Sequence, residues 1–194
     1  MAKQAETPFK VFLSHDTRDE DICSKVFHVL RKICAHPYMY ERFPQYQKDI
    51  SQDIRDVLKI CPLCLCFLTY NGITSQWVHQ ELGAAYAFDR VIVPIIEDGV
   101  DYKGFVQFGP HVKYNPTNWE SFAYEIIWAV RQELLGHDEG GEVHLQCKKG
   151  HEDSYALPST EEVNSAIEAN TVFVFRCSTC NSQICVSPWT FEEV

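Results

Sequence analysis

The sequence predicts an α/β protein with a flavodoxin-like, parallel five-stranded sheet covered by helices on both faces, followed by a small β-rich region. Three observations lead to this prediction. Apolar runs of strand length alternate with amphipathic segments of helix length between residues 9 and 136. The apolar runs are continuous, which is typical of parallel strands buried on both faces. After residue 136, a polar stretch leads into a cysteine-containing segment with short β-like runs.

The elements can be read in order from the start of the chain. FKVFLSH is an apolar strand, and the segment after it has apolar residues at helical spacing behind an acidic first turn. CPLCLCFLTY contains a buried strand whose free cysteines serve as small hydrophobes. Pro116 and Gly136 frame the last helix. The predicted elements are strand 9–15, helix 19–34, a weak strand in PYMYERF (37–43), helix 49–61, strand 63–69, helix 75–89, strand 90–97 and, after a Gly-rich and aromatic loop that leads through HVKY (111–114), helix 116–136.

Length and composition indicate a soluble globular protein. The 194 residues, 45% of them hydrophobic, suffice for one ordinary domain and a small second one. We expect a tail at 1–8, the α/β domain at 9–136, a linker at 137–142 and the β-rich domain at 143–194. The net charge of −10, with scattered basic residues, disfavours nucleic acid as a partner. No apolar run approaches the ~20 residues that span a bilayer, and MAKQAETPFK lacks a signal-peptide core, so we expect a cytoplasmic protein that does not bind membranes.

Candidate ligand-binding residues follow from the predicted sheet, because open parallel sheets bind ligands at the carboxyl ends of their strands. Neither a G-x-G-x-x-G motif nor a Walker A loop is present, which disfavours a Rossmann or P-loop nucleotide site. A phosphoacceptor receiver is also disfavoured, because the third strand ends in LTYNG without an aspartate. The residues at the strand ends are Ser14, His15 and Asp16 after the first strand, Arg42, Phe43 and Tyr46 after the second, Thr69 to Asn71 after the third, and Glu97 and Asp98 after the fourth.

One helix carries an unusual pair of residues. In SQWVHQELGAA (75–85), Ser75 is placed to cap the helix, and Trp77 and Glu81 lie at i and i+4 on one side of it. Trp77, Leu82, Ala85 and Tyr86 form the predicted apolar face. A carboxylate beside that face needs a partner or a function. The alternative is that Trp77 and Glu81 only pack at the edge of the core.

The motifs at the first strand and the third helix resemble those of TIR domains. KVFLSHDTRDED is similar to the first strand and following loop of the family, and the Ser, Trp and Glu of SQWVHQELGAA match the spacing of its third-helix motif. The resemblance spans residues 9 to about 136. It implies either a protein-interaction adaptor or an enzyme that cleaves the nicotinamide–ribose bond of NAD+ with the glutamate of this motif. Glu81 matches that glutamate, which favours the enzyme.

The resemblance also implies roles for other residues. Glu81 is expected to stabilise the charge that develops on the ribose, and the ring of Trp77 to stack on nicotinamide. Ser14, His15 and Asp16 belong to the loop expected at the nicotinamide end of the pocket, although His15 could instead bond within its own loop. The segment RFPQYQK, with Phe43 and Tyr46, matches the place where a neighbouring TIR subunit closes the site.

Small TIR proteins of this kind resemble those of prokaryotic antiphage defence. The Thoeris type makes a cyclic or conjugated ADP-ribose messenger for a separate effector. The resemblance therefore implies NAD+ as substrate, self-association through TIR surfaces, and an effector or an activating phage protein as a partner. The competing hypothesis is a non-enzymatic scaffold, in which the loop after the second strand and the third helix mediate TIR–TIR assembly.

The C-terminal segment contains two short pairs of metal-binding residues. Cys147 and His151 lie in CKKGH, and Cys177 and Cys180 lie in CSTC. Four such ligands suit a tetrahedral zinc ion, and a segment of ~50 residues needs such a cross-link to be stable. The spacing predicts a zinc ribbon whose closed coordination shell makes the metal structural. His144 and Cys185 are the alternative ligands.

Overall fold

The computed structural model describes residues 9–33, 35–39, 50–104, 111–135 and 142–194. Its centre is a five-stranded parallel sheet in the order β2-β1-β3-β4-β5. This arrangement confirms the predicted α/β fold class with a flavodoxin-like sheet. The strands are β1 (Phe9–Ser14), β2 (Ala35–Met39), β3 (Leu63–Leu68), β4 (Val91–Glu97) and β5 (Val112–Tyr114).

Helices cover both faces of the sheet. One apolar cluster joins α1 (Glu20–Lys32) and α4 (Trp119–Leu135) to Val11, Leu13 and other side chains on one face of the sheet. A second cluster joins α2 (Ile50–Ile60) and α3 (Gln76–Ala87) to Phe12 and its neighbours on the other face. All six positions of β3 are buried. The central strand is therefore covered on both sides, as a continuous apolar run indicates.

The boundaries of several elements differ from the prediction. α4 begins at Trp119 instead of residue 116, because Asn118 caps it: the Asn118 side-chain oxygen accepts from the Ser121 backbone N–H at 3.2 Å. The second strand begins at Ala35 and ends at Met39, earlier than the PYMYERF prediction. The rest of that stretch, from residue 40, lies outside the described residues.

The C-terminal region, residues 142–194, consists of two hairpins joined by a helix. β6 (Glu142–Gln146) pairs antiparallel with β7 (Glu152–Ala156), and β8 (Phe173–Arg176) pairs antiparallel with β9 (Gln183–Val186). Between them lies α5 (Thr160–Glu168), which the sequence analysis did not predict. Its signal was present in Ser-Thr-Glu-Glu. Ser159 caps the Glu162 backbone N–H, and the Glu162 carboxylate accepts from the Ser159 backbone N–H at 2.8 Å.

The C-terminal region packs against the α1–α4 side of the sheet. Its buried side chains, including Val143, Leu145 and Phe191, belong to the same apolar cluster as α1 and α4. The ring centroids of Tyr124 in α4 and Trp189 are 5.8 Å apart, with the rings edge to face. The Tyr124 hydroxyl donates to the Asn164 side-chain oxygen at 2.7 Å. The two regions thus share one core. No helix within the described ranges is long and apolar enough to span a bilayer.

Candidate active site and candidate metal centre

Glu81 is a buried carboxylate in the second turn of α3. Only 3% of the residue is exposed, and its Oε2 accepts a hydrogen bond of 2.7 Å from the hydroxyl of Ser14. Ser14 ends β1 and is fully buried. The structure therefore brings together two predicted site residues that are 67 positions apart in the chain. Burying a carboxylate is costly without hydrogen bonds, and Ser14 supplies one of them.

The face of α3 that packs on the sheet differs from the predicted face. Val78, Leu82 and Ala85 are buried together with Glu81. Tyr86 is 64% exposed and Trp77 is 38% exposed, so neither belongs to the core, and the prediction of an apolar face including them was wrong. Trp77 lies at the edge of the buried face, one turn before Glu81. Its side chain is therefore partly exposed at the surface. Packing in the core alone does not account for this exposure.

The loop after β1 holds His15 and Asp16 near the same edge of the sheet. His15 is buried; its Nδ1 lies 3.3 Å from the Leu13 carbonyl oxygen, and its ring packs edge-on against Phe67. This is the local bonding that the sequence analysis left open. Asp16 caps a 3₁₀ turn, Thr17–Asp19, and its Oδ1 accepts from Arg18 Nε at 2.7 Å. Hydrogen bonding to Arg18 holds the pKa of Asp16 well below its usual range, although burial opposes the shift.

Arg18 and Asp19 connect this loop to the turn before α3, and sequence reasoning identified neither. The Arg18 guanidinium reaches the carbonyl oxygen of Asn71 and the hydroxyl of Thr74. Asp19 is 8% exposed and accepts from the Thr69 hydroxyl at 2.6 Å and from the Asn71 amide at 2.7 Å. The acid-rich DTRDED was the available signal. These bonds link the loop that follows Ser14 to the segment that leads into Glu81.

The turn itself requires a glycine. The Gly72 backbone N–H donates to the Thr69 hydroxyl at 2.9 Å, and a Cβ at Gly72 would overlap the carbonyl oxygen of Phe67. Ser75 occupies the N-cap position of α3, as predicted, but its side chain makes no capping bond. Its hydroxyl lies near Asp16 and contributes a small part of the low pKa of that carboxyl. The tight turn thus fixes the position of the start of α3 relative to the β1 loop.

Other sequence-predicted candidates lie outside this group. Phe43 and Tyr46, together with Arg42, fall outside the described residues. Glu97 accepts from the backbone N–H of Tyr70 at 3.0 Å, which joins the ends of β3 and β4. The structure thus brings Ser14 and Glu81 into contact at this edge of the sheet.

The four predicted metal ligands lie together in the C-terminal region. One ligand atom from each of Cys147, His151, Cys177 and Cys180 lies within 4.8 Å of all the others. Cys147 Sγ is 3.7 Å from Cys180 Sγ and 3.5 Å from His151 Nδ1, and Cys177 Sγ is 3.7 Å from that Nδ1. Tetrahedral zinc, with Zn–S of about 2.3 Å and Zn–N of about 2.0 Å, separates S from S by about 3.7 Å and S from N by about 3.5 Å. The donor set and its spacing fit that ion.

Local backbone geometry shapes the cluster. Gly150, at φ 83°, and Asn181, at φ 57°, turn the chain in the left-handed region. The Gly150 N–H donates to the Cys147 carbonyl at 2.7 Å, and the Asn181 N–H donates to the Cys177 carbonyl at 2.8 Å. Each turn brings the residues of one pair to the same centre. The alternative ligands, His144 and Cys185, do not belong to the cluster; His144 Nδ1 lies 2.7 Å from the Ser154 hydroxyl.

Hydrogen bonds and burial shift the pKa values of the three cluster thiols in different directions. Burial opposes ionisation of Cys147, but hydrogen bonds from the backbone of Lys149 and His151 leave its pKa below the usual value. The Ser182 hydroxyl, 3.1 Å from Cys180 Sγ, is the main cause of a Cys180 pKa of about 7. Burial raises the pKa of Cys177. Two of the three sulfurs therefore sit where the thiolate, the form that binds metals, is favoured.

A separate cavity of about 690 Å³ lies between α1 and the β6–β7 hairpin. Its lining includes His28 and Arg31 of α1 and His144 and Glu152 of the hairpin. None of the residues predicted for the NAD site or for the metal cluster lines it. The two candidate sites are thus distinct from this groove.

A comparison with protein families gives one match. The model of the TIR domain family matches residues 11–127. The chain belongs to the TIR domain family. The match ends at residue 127, before the cluster of Cys147, His151, Cys177 and Cys180. No curated protein matches the chain by sequence.

Several solved structures are similar to this chain. The TIR domain of the Toll-related receptor TRR-2 from Hydra magnipapillata is 10% identical with a TM-score of 0.53, over 62% of this chain and 97% of that chain. The CMP N-glycosidase BcmB of Clostridium botulinum is 19% identical with a TM-score of 0.42, over 55% and 89%. The TIR domains of the activated Roq1 resistosome, which recognises the pathogen effector XopQ, are 24% identical with a TM-score of 0.39, over 46% and 58%. At these identities the Hydra domain shows the shared fold alone, and the two lower scores add nothing to it.

Proposed function

We propose that this TIR protein is an enzyme that cleaves the nicotinamide–ribose bond of NAD+, with Glu81 as the catalytic residue. The observation that carries the proposal is the buried Glu81 carboxylate, held by Ser14 at 2.7 Å beside the carboxyl end of β1. Ligands of open parallel sheets bind at this edge. A carboxylate kept out of water there acts strongly on a nearby positive charge, because the local dielectric is low.

The reaction needs negative charge rather than a proton donor. The bond between the ribose carbon and the nicotinamide nitrogen breaks, and its electron pair remains on that nitrogen. Nicotinamide leaves as a neutral molecule, so no general acid is required. Positive charge develops on the ribose, as in glycoside hydrolysis, and the Glu81 carboxylate stabilises it. Water, an atom of the same molecule or another acceptor then attacks the ribose carbon and loses a proton.

Neighbouring residues supply the binding surface in this proposal. Trp77 is 38% exposed one turn before Glu81, and its ring stacks on the flat nicotinamide. His15 and Asp16 lie in the loop that begins directly after Ser14 and form the nicotinamide end of the pocket. Phe43 and Tyr46 close it, from the same or a neighbouring subunit. Self-association through TIR surfaces is therefore part of the proposal.

The product is an ADP-ribose-type compound. The resemblance to Thoeris-type TIR proteins favours a cyclic or conjugated product that acts as a signalling nucleotide in antiphage defence. An effector that responds to this product and an activating phage protein are the corresponding partners.

The test is incubation of concentrated protein with NAD+, followed by mass spectrometry of the products. Glu81→Gln keeps the size of the side chain and removes its charge. Glu133→Gln is the matched control, because it makes the same change on the exposed side of α4. We expect nicotinamide release from the wild type and from Glu133→Gln, and at least a 100-fold loss in Glu81→Gln. The mass of the second product distinguishes ADP-ribose and its cyclic isomers from a conjugate, and chromatography separates the two former.

Activation must be controlled in the same experiment. The incubation is repeated with a crowding agent, since an enzyme that depends on assembly is silent when dilute. If wild type and Glu81→Gln remain equally inert when crowded, or release nicotinamide at the same rate, Glu81 is not catalytic. Inert proteins that still self-associate would support the scaffold hypothesis.

We also infer that Cys147, His151, Cys177 and Cys180 bind a structural zinc ion. Four protein ligands fill a tetrahedral shell, so the ion acts as a cross-link between the two hairpins. Outer contacts support it: the backbone N–H and the hydroxyl of Ser178 donate to Asp153 at 2.9 and 2.7 Å. Elemental analysis should give one zinc per chain in the wild type and none in Cys177→Ala. Equal zinc content in both would contradict the assignment.

A further inference from the structure

The hydroxyl of Ser14 has two polar neighbours in the core. One is the Glu81 carboxylate, which accepts its hydrogen bond at 2.7 Å. The other is the thiol of Cys66, the register partner of Ser14 on β3. Burial raises the pKa of Cys66 to about 12, so the sulfur stays a neutral thiol near neutral pH. A carboxylate is a far stronger acceptor than a thiol, so the Ser14 proton is directed to Glu81.

The thiols near Glu81 are uncharged near neutral pH. They include Cys23 of α1 and Cys64 and Cys66 of β3, whose pKa values the charge of Glu81 also raises. Burial is the main cause that raises the pKa of each of these thiols. All three are therefore protonated and uncharged at pH 7. The nearest carboxylates on the β1 loop, Asp16 and Asp19, are bonded to Arg18 and to Thr69 and Asn71.

We propose that Ser14 is a positioning residue: its buried hydroxyl donates to Oε2 of Glu81 and fixes the rotamer of the carboxylate. This rests on the proposed function, and it assigns Ser14 to Glu81 rather than to direct contact with the substrate. The reasons are geometric. Ser14 is fully buried, with 0% of the residue exposed, and it ends β1, an interior strand of the sheet. A donor on a strand orients a carboxylate better than one on a loop.

The first measurement does not depend on catalysis. Carbon-13 labelling of glutamate side chains allows the Glu81 carboxyl to be titrated by NMR, with Glu81→Gln identifying its signal. Ser14→Ala removes one donor to the carboxylate, so the pKa of Glu81 should rise by roughly one unit. Ser14→Cys keeps a weak donor and should give a smaller rise. Cys61→Ala is the matched control: it also deletes one heavy atom from a buried side chain, just before β3, its thiol does not sense the charge of Glu81, and it should leave the Glu81 pKa unchanged.

The second measurement is the pH profile of nicotinamide release. Ser14→Ala should lower kcat by roughly 10- to 100-fold, with a smaller change in KM, and should move the acid limb of the profile to higher pH. Cys61→Ala should change neither kcat nor the acid limb. A purely structural role for Ser14 would lower the melting temperatures of Ser14→Ala and Cys61→Ala alike without moving the acid limb.

The outcomes separate the two proposals. If the Glu81 pKa does not change in Ser14→Ala, the positioning role is wrong, whatever the activity. If the pKa rises but wild-type protein never releases nicotinamide, the contact is real and the proposed function is wrong. If activity depends on Glu81 but Ser14→Ala retains the wild-type kcat and acid limb, the function stands and the positioning role is overturned.

Discussion

The sheet and the C-terminal region are held together in different ways. In β3 all six side chains are buried, and two apolar clusters enclose them from opposite faces. In β6 exposed and buried positions alternate, so only every second side chain, such as Val143 and Leu145, contributes to a core. Each C-terminal hairpin has just two strands, which is marginal by itself in water.

This difference explains why the Cys/His cluster lies where it does. The sheet buries enough apolar surface to be stable without a cross-link. The C-terminal hairpins share a core with α1 and α4, and the proposed zinc ion at the Cys/His cluster would add a cross-link between them. A region with few buried side chains per residue depends on contacts that join distant parts of the chain.

The strongest test of this contrast is the loss of one cluster ligand. Cys177→Ala should destabilise the C-terminal region by more than about 5 kcal/mol, because zinc binding and folding are coupled in such sites. Circular dichroism during thermal unfolding, with and without a chelator, measures the effect. Cys185→Ala is the control, since this thiol lies on β9 outside the cluster. Similar stability of Cys177→Ala and Cys185→Ala would mean that the cluster is not a cross-link.

The next largest effect comes from the same substitution in both regions. Leu65→Ala in β3 should cost about 4 kcal/mol, because the strand is packed on both faces and the cavity cannot close. Leu145→Ala in β6 should cost about 2 kcal/mol, because a two-stranded hairpin can relax into the space. Urea unfolding of the two variants compares them directly. An equal cost would show that the C-terminal core is packed as rigidly as the sheet.

A smaller effect is expected at the cap of α5. Ser159→Ala removes the side-chain oxygen that accepts from the Glu162 backbone N–H and should cost about 1 kcal/mol. Ser165→Ala, on the exposed side of the same helix, should be neutral or slightly stabilising because alanine favours helices. Thermal melts of both variants decide this. A neutral Ser159→Ala would show that packing on α4 alone forms the helix.

The smallest effect is a pH-dependent contribution at the β1 loop. The pKa of Asp16 is depressed in the folded state, mainly by hydrogen bonding to Arg18, so the pair stabilises the fold above about pH 4 and this contribution is lost as the pH falls further. Arg18 is 57% exposed, so its replacement in Arg18→Gln should cost less than about 1 kcal/mol at pH 7. Urea unfolding at pH 7 and pH 3 should show the difference between the proteins shrinking in acid. A difference that grows in acid would contradict the assignment.

Much of the fold could be predicted because the sheet is encoded locally. Continuous apolar runs marked β1, β3 and β4, and helical spacing marked the helices between them. The start of α4 was missed because Pro116 is compatible with a helix start, whereas the cap that forms is Asn118. α5 was missed because it is short and lies between two cysteine pairs that are flanked by β-like runs. Ser159 and Glu162 nevertheless carried the capping signal.

The two candidate sites also differ in how local their sequence signals are. The Cys/His cluster was predictable from spacing, since Cys147 with His151 and Cys177 with Cys180 form two short local pairs. The contact between Ser14 and Glu81 joins residues 67 positions apart, and no local pattern predicts which atom accepts. Arg18 and Asp19 were missed for the same reason, because their partners are on the turn before α3.

The position of α4 determines which truncated fragments of the protein can be expressed in folded form. One side of this helix packs on the sheet, and Tyr124 on another side contacts Trp189 and Asn164 of the C-terminal region. Arg131, only 3% exposed, donates to the Pro158 carbonyl. A fragment cut after residue 135 would expose this second apolar side and a desolvated guanidinium to water. Such a fragment would aggregate, so expression trials should retain residues 142–194 even when only the TIR portion is of interest.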